Sequence, residues 1–371
     1  MSAPDRALPD FPWDALAPYA QRARAHPGGV VDLSVGTPVD PTPDVVQRAL
    51  RDAADAPGYP QTAGTPQLRE AVSEWFTRRR RVPALDPDGV LPTVGSKELV
   101  AWLPTLLGLG PGDVVVHPEV AYPTYDVGAR LAGATPLPAD GTAQVGPRRV
   151  RLLWVNSPSN PTGRVLGVEH LAKVVAWARE RDVVVASDEC YAELGWAAPY
   201  DAEVVPSILD PRVTQGSTEG LLAVYSLSKQ SNLAGYRAGF VAGDPVLVRR
   251  LLEVRRHAGM IVPAPVQAAM RAALDDDAHV AEQKARYGAR RAVLLDALRS
   301  AGFRVDSSEA GLYLWATRDE DCWATVGALA ERGVLVAPGS FYGPAGARHV
   351  RVALTATDER VAAAAERLTS S

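Results

Sequence analysis

The sequence predicts an α/β fold in which a mainly parallel sheet lies between two layers of helices, with a smaller α+β domain attached. Three observations carry this expectation. Short runs rich in Val and Leu alternate with helical patterns through the middle of the chain, the order that builds parallel strands under covering helices. After about residue 262 the pattern changes, and Pro263 and Pro265 interrupt the chain. A chain of 371 residues also exceeds what one simple core accommodates.

In chain order, residues 1–45 are irregular and proline-rich. They are expected to form an N-terminal arm and part of the smaller domain, packing on that domain or on a partner subunit. Residues 46–262 are expected to form the large domain. Its helical patterns cover 67–82, 97–108, 123–133 and 168–181, and its strands are Val114–His117, Val150–Val155, Val183–Ser187 and Leu221–Ser226. Residues 263–371 are expected to form the smaller C-terminal domain. It starts with an amphipathic segment from about Asp277 to Ala301 and continues with strand-like stretches at Gly311–Thr317, Val334–Ala337 and His349–Leu354. A last helix starts at Asp358.

Composition narrows the function classes. The chain is 47% hydrophobic and 22% charged with a formal net charge of −4, so it has no basic field for nucleic acid or anionic lipid. A small-molecule role fits better. The two cysteines, Cys190 and Cys322, lie far apart without a CxxC, which argues against a disulfide scaffold or a zinc site and fits a reducing cytosol. No basic start followed by an apolar run opens the chain, so no secretory signal is visible. The longest apolar run, Leu99–Leu109, is broken by Pro104 and is too short to span a bilayer. A cytoplasmic protein without membrane or nucleic-acid partners is expected.

Ligands of open α/β sheets bind outside the carboxyl ends of the strands, and five unusual clusters fall at or near such places. Gly95-Ser96-Lys97 opens a helical pattern and suits a phosphate cradle, although Ser is also a common plain cap. Asn156-Ser157-Pro158-Ser159-Asn160-Pro161-Thr162-Gly163 follows a strand. It reads either as a turn or as a loop that fixes amide donors at the sheet edge. Ser187-Asp188-Glu189-Cys190-Tyr191 ends another strand. It offers a carboxylate for a cationic heterocycle nitrogen, with a phenol close behind, or an ordinary helix cap.

Ser226-Leu227-Ser228-Lys229 sets a lysine among apolar and hydroxyl residues, where desolvation lowers its pKa and makes the amine nucleophilic. Arg237, between Gly235 and Gly239, suits an anion in the same pocket. Arg351 lies in the alternating His349-Val350-Arg351-Val352, so it faces one side only, as a pocket ligand or as an ordinary surface strand residue. Together these supply a phosphate cradle, an acid for a ring nitrogen, donors for a ring hydroxyl, a Schiff-base lysine and a carboxylate clamp. Pyridoxal 5'-phosphate (PLP) requires that set.

At these residues the chain resembles the class I/II aminotransferases of PLP fold type I. NSPSNPTG, SDECY, SLSKQSNLAGYRAGF and HVRV occur in the family's order, and the resemblance runs from about Gly36 to the C-terminal helix. The stretches LPDFPWDALAPYA, DLSVGTPVDPTP and GYPQTAGTPQLREAV are similar to the succinyldiaminopimelate aminotransferases of actinobacteria.

The resemblance implies a seven-stranded, mainly parallel sheet and a homodimer with shared active sites. It implies that Lys229 carries the cofactor as a Schiff base and later acts as general base, that Asp188 pairs with the pyridinium N–H, and that Tyr191 and Asn160 hydrogen-bond the ring oxygen. Tyr122 would stack on the ring, where the aspartate enzymes of the family carry tryptophan. Gly95, Ser96, Lys97, Ser226, Ser228 and Arg237 would surround the phosphate, Lys97 through its backbone N–H, and Tyr59 would reach the phosphate of the neighbouring subunit. Arg351 would clamp the substrate α-carboxylate, with Gly36 and Asn160 nearby. The implied reaction converts N-succinyl-LL-2,6-diaminopimelate and 2-oxoglutarate to N-succinyl-2-amino-6-oxopimelate and glutamate, in lysine and diaminopimelate biosynthesis.

Within the fold the alternatives are another transaminase specificity, such as acetylornithine or aspartate, or a β-eliminating C–S lyase. A PLP-sensing transcriptional regulator needs a DNA-binding module, and no helix-turn-helix or basic arm precedes residue 30.

Overall fold

The computed structural model describes residues 8–83 and 85–370, so the first residues of the expected N-terminal arm lie outside it. The large sheet contains β1 (Val90–Val94), β2 (Val114–His117), β3 (Thr135–Pro138), β4 (Val150–Asn156), β5 (Val184–Asp188), β6 (Leu221–Ser226) and β7 (Ala238–Gly243). Their spatial order is β1-β7-β6-β5-β4-β2-β3. Only β7 runs against its neighbours. The expected seven-stranded, mainly parallel sheet is therefore present.

Its strands are apolar on both faces because both faces are covered. One face, with Leu153, Val155, Val185, Tyr225 and Phe240, packs against α1 (Pro66–Arg80) through Leu68, Val72, Trp75 and Phe76. The other, with Val115, Leu152, Trp154 and Val224, packs against Leu99 and Leu103 of α2 (Gly95–Leu106) and Tyr125 and Ala129 of α3 (Thr124–Leu131). On that second face it also meets Leu247 and Leu251 of α4 (Pro245–Ala258).

Three strands were not expected, and two of them show why. Pro92 lies in β1, and Pro136 and Pro138 lie in β3. Proline lacks the N–H that a central strand must donate, and these two strands form the sheet's edges. The glycine-rich β7 lacked a Val/Leu signature for a different reason: Gly239 passes 3.0 Å from the Ser96 nitrogen, measured from where a Cβ would stand.

The prolines at 263 and 265 start a helix instead of interrupting the chain. Pro263 is the N-cap of α5 (Ala264–Asp275) and Pro265 lies in its first turn, where no N–H is needed. This helix buries Val266, Ala269, Met270 and Leu274 in the core of the sheet. The chain leaves that core at the next helix, α6 (Ala278–Ser300), one helix after the boundary expected at 263.

The second core joins both ends of the described chain. Leu16, Ala20, Val31 and Leu33 pack with Leu294 and Leu298 of α6 and with Val361 and Leu368 of α7 (Asp358–Thr369). Its antiparallel sheet runs β10 (Ala337–Pro338), β11 (Val350–Ala353), β9 (Tyr313–Thr317) and β8 (Arg304–Asp306) in spatial order. The expected single strand Val334–Ala337 is split between two sheets. Val334 and Leu335 pair in parallel with Val31 and Asp32, while Ala337 pairs with Arg351.

A buried ion pair fixes α1 to the chain leaving β5. Arg80 donates to Glu189 at 3.0 Å with both side chains inaccessible to water, and Glu189 also accepts from Ser207 Oγ and the Ile208 N–H. Removing one member of such a pair strands a buried charge. Glu189→Ala is expected to lower unfolding free energy by about 3–5 kcal/mol, read as a drop in urea midpoint with little change in slope.

Candidate active site

Asn156, Asp188 and Ser226 are the last residues of β4, β5 and β6, side by side at the carboxyl edge of the sheet. Asn156 is the parallel partner of Asp188. Its side-chain amide donates to the Asp188 carbonyl at 3.0 Å and to the Pro158 carbonyl at 3.2 Å. Its Oδ1 accepts from the Asn160 N–H at 2.7 Å. The loop after β4 is thereby tied to the end of β5, and Asn160 is held over the edge.

Asp188 is buried. Its carboxylate accepts from Tyr125 Oη at 2.8 Å and from the Cys190 N–H at 3.2 Å, and it makes no ion pair among the described residues. Burial pushes its carboxyl above the ordinary value, although both hydrogen bonds oppose the shift. A buried carboxylate held by neutral donors suits a cation that the chain itself does not supply.

Ser226 caps the short helix Leu227–Gln230 by accepting from the Ser228 N–H at 3.2 Å, and its hydroxyl donates to Ser228 Oγ at 2.8 Å. Lys229 follows. Its amine donates to the Gly36 carbonyl, and burial lowers its pKa, helped by the nearby Arg351 and Arg237 cations.

Opposite lies the start of α2, whose N-cap residue Val94 offers no side-chain cap. The first backbone N–H groups of Gly95, Ser96 and Lys97 therefore belong to an uncapped helix start. A Cβ at Gly95, which has φ +74°, would overlap the Arg237 guanidinium. That glycine lets a cation stand against the open helix end, and an anion-sized cradle results. Arg237 is itself exposed, and its guanidinium donates to the Ala234 carbonyl at 2.7 Å. The exposed Lys97 amine lies 5.6 Å from the Phe11 ring centroid, directed toward the N-terminal segment.

Arg351 comes from the second core, on β11. Although buried, it meets no carboxylate among the described residues: it donates to Asn160 Oδ1 at 3.0 Å and to the Ser34 carbonyl at 2.6 Å. Its buried Nε has no partner among those residues. An enclosed guanidinium with a free donor is suited to a carboxylate ligand.

The structure thus gathers Gly36, Gly95, Ser96, Asn160, Asp188, Tyr191, Ser226, Ser228, Lys229, Arg237 and Arg351 around one edge of the sheet. Tyr122 is there too, its ring 5.9 Å from Tyr125 and its phenol pushed up to about 12 by burial. Tyr59 is not: within one chain it is fully exposed.

Sequence reasoning missed Tyr125 and Tyr313. Tyr125 closes the same Ala121–Tyr125 stretch as Tyr122 and sits one helical turn after it, which was the available signal. Tyr313 meets Tyr191 hydroxyl to hydroxyl at 3.2 Å, and nothing local in sequence announces it.

Comparison with known proteins agrees with this geometry. The profile of the family described as aminotransferase class I and II matches residues 28–368. The chain belongs to this family. Like its other members it uses PLP, with amino and keto acids as substrates, and the buried Asp188 and the cradle at Gly95 fit that cofactor. A probable aminotransferase of Mycobacterium tuberculosis is 65% identical over 98% of this chain and 86% of its own length. The 4-dedimethylamino-4-oxo-anhydrotetracycline transaminase of Streptomyces rimosus is 61% identical over 98% of this chain and its whole length. Among solved structures, a probable N-succinyldiaminopimelate aminotransferase of Thermus thermophilus superposes with TM-score 0.85 at 30% identity, covering 97% of this chain and 99% of that one. No helix among the described residues is long and apolar enough to cross a membrane.

The raised pKa of Asp188 has a measurable sign. A carboxyl raised in the folded state is more easily protonated there than when unfolded, so stability falls as pH climbs from the ordinary carboxyl value through the raised one. Without cofactor, Asp188→Asn is expected to melt at a higher temperature than wild type at neutral pH, by a few degrees for about 1 kcal/mol. That advantage should vanish as pH falls below the ordinary carboxyl range. Equal melting temperatures at neutral pH would remove the uncompensated charge.

Proposed function

We propose that this aminotransferase transfers the amino group of N-succinyl-LL-2,6-diaminopimelate to 2-oxoglutarate, as a homodimer. The observation that carries the transaminase chemistry is a set of two buried charges without counter-ions among the described residues, the Asp188 carboxylate and the Arg351 guanidinium, in one site with a desolvated Lys229. A cationic ring nitrogen answers the first and a substrate carboxylate the second.

When bound, PLP supplies an electron sink for the bond broken at the substrate α-carbon. The residues do the rest. Lys229 Nζ would hold the cofactor covalently and, when free, would remove and return the substrate α-proton. Burial keeps that amine neutral and therefore basic for a larger fraction of the time. Asp188 keeps the ring nitrogen protonated, with Tyr125 and the Cys190 N–H fixing its orientation. Tyr191 and Asn160 would donate to the ring oxygen, Tyr122 would pack against the ring, and Gly95, Ser96, Lys97, Ser226, Ser228 and Arg237 would hold the phosphate. Arg351, with Asn160 and the Gly36 backbone, orients the α-carboxylate. The fully exposed Tyr59 is read as reaching the neighbouring subunit's phosphate.

The substrate assignment is supported by the likeness to succinyldiaminopimelate aminotransferases and by LL-diaminopimelate aminotransferases such as that of Gloeobacter violaceus, 34% identical over 97% of this chain and 95% of its own length. The similarity to the S. rimosus transaminase favours a second reading, amination of a ketone on a polycyclic molecule.

A stopped-flow half-reaction series with N-succinyl-diaminopimelate, N-acetylornithine, aspartate and glutamate tests the first reading, and offering the aminated enzyme a polycyclic ketone tests the second. Fastest reaction with the succinyl compound is expected. If aspartate reacts fastest, the substrate assignment fails while the family stands. Lys229→Ala is expected to lose the visible band of the lysine-bound cofactor and all transamination. Arg351→Lys should raise substrate KM roughly a hundredfold, since an ammonium cannot bond both carboxylate oxygens. Cofactor affinity should change far less.

A further inference from the structure

Tyr313 opens β9, is buried, and touches two functional groups at once. Its hydroxyl lies 3.2 Å from that of Tyr191, with the two rings edge to face at 5.6 Å and 70°. The Arg351 guanidinium carbon stands 3.9 Å from its ring centroid. Gly36 backs the hydroxyl, because a Cβ there would overlap it. The charged and titratable groups around it are Tyr191 and Cys190 beyond β5, Lys229 beyond β6, Arg351 on β11, Tyr122 just before α3, Tyr287 on α6 and Tyr342 between β10 and β11.

We propose that Tyr313 is a positioning residue, donating its hydroxyl proton to Tyr191 so that Tyr191 becomes a stronger donor to the cofactor's ring oxygen, while its ring seats Arg351. This rests on the reading above that Tyr191 faces that oxygen. A phenol carries one proton. If Tyr191 directs its proton to the ring oxygen, its own oxygen is left to accept, and Tyr313 is the hydroxyl within reach. The surrounding charges select the same direction. Burial pushes both phenols up, but the positive charge beside Tyr313, that of Arg351 above all, leaves its phenol below the ordinary value. Tyr191 stays well above its own. The more acidic hydroxyl is the better donor, and hydrogen bonds in series strengthen one another. Gly36 acquires a steric reason beyond its carbonyl, since any side chain there would displace the Tyr313 hydroxyl.

The test uses the PLP-loaded enzyme and follows the pH titration of the visible band of the lysine-bound cofactor in Tyr191→Phe, Tyr313→Phe and the double variant. Tyr191→Phe should move the midpoint upward, because the ring oxygen loses a donor that favours its anionic form. Tyr313→Phe, which keeps the ring, should move it in the same direction by less, roughly threefold in the proton equilibrium. The double variant should match Tyr191→Phe alone, since Tyr313 acts through Tyr191.

An unmoved midpoint in Tyr313→Phe, or a double variant showing the full sum, overturns the proposal while leaving the role of Tyr191 intact. An unmoved midpoint in Tyr191→Phe overturns that role and the proposal with it. Tyr313→Leu, which also withdraws the ring from Arg351, should raise substrate KM about tenfold over Tyr313→Phe. Equal KM values in the two would remove the ring's part.

Discussion

A carboxylate held in the interior without a counter-ion is the constraint around which this molecule is arranged. Asp188 ends the middle strand of the sheet, and its main chain and side chain are both committed. Its carbonyl accepts from Asn156 and from the Ser157 N–H, which ties down the loop carrying Asn160. Its carboxylate takes the Tyr125 hydroxyl, which fixes α3 and with it Tyr122. Neither contact neutralises the charge, so the folded chain carries a local electrostatic cost until a cation arrives. Ligand binding at such a site and stabilisation of the fold are the same event.

The second charge is brought from the other core. Arg351 reaches across from β11 and is met by Asn160 from the large sheet and the Ser34 carbonyl from the N-terminal segment. Two stretches remote from Arg351 in sequence thus converge on its guanidinium, and each supplies a neutral acceptor in place of a carboxylate. An Asp or Glu at any of them would fill the clamp permanently and exclude an outside anion. The absence of a carboxylate partner among the described residues is itself what makes the arginine available.

Much of this was legible in the sequence, and the exceptions have physical causes. Central strands such as Val114–His117 and Leu221–Ser226 were readable because burial on both faces demands continuous apolar runs. The edge strands were not, because an edge tolerates the Pro92, Pro136 and Pro138 that a central position forbids. The helix after Pro263 was misread for a related reason, since the same residue that breaks a helix interior is favoured at its start. Residues grouped with a motif, Lys229 with Ser226 or Asp188 with Tyr191, could be found because their spacing is local. Tyr313 could not, because its meaning comes from Tyr191 and Arg351, to which no local spacing connects it. Tyr59 remains where the single chain leaves it, in solvent.

The second core contains residues from near both ends of the described chain, Leu16 to Leu33 packed against Leu294 to Leu368. During synthesis the N-terminal portion emerges before the residues from Leu294 onward that it packs against. The large sheet between them can form earlier, from contacts closer in sequence. Closing the second core then joins ends separated by most of the polypeptide, at an entropic cost that rises only slowly with the length already folded between them. The proposed carboxylate clamp takes Arg351 from that core and Asn160 from the large sheet, so a grip on substrate would require both cores closed, while the proposed cofactor edge of Asp188, Lys229 and Gly95 lies within one.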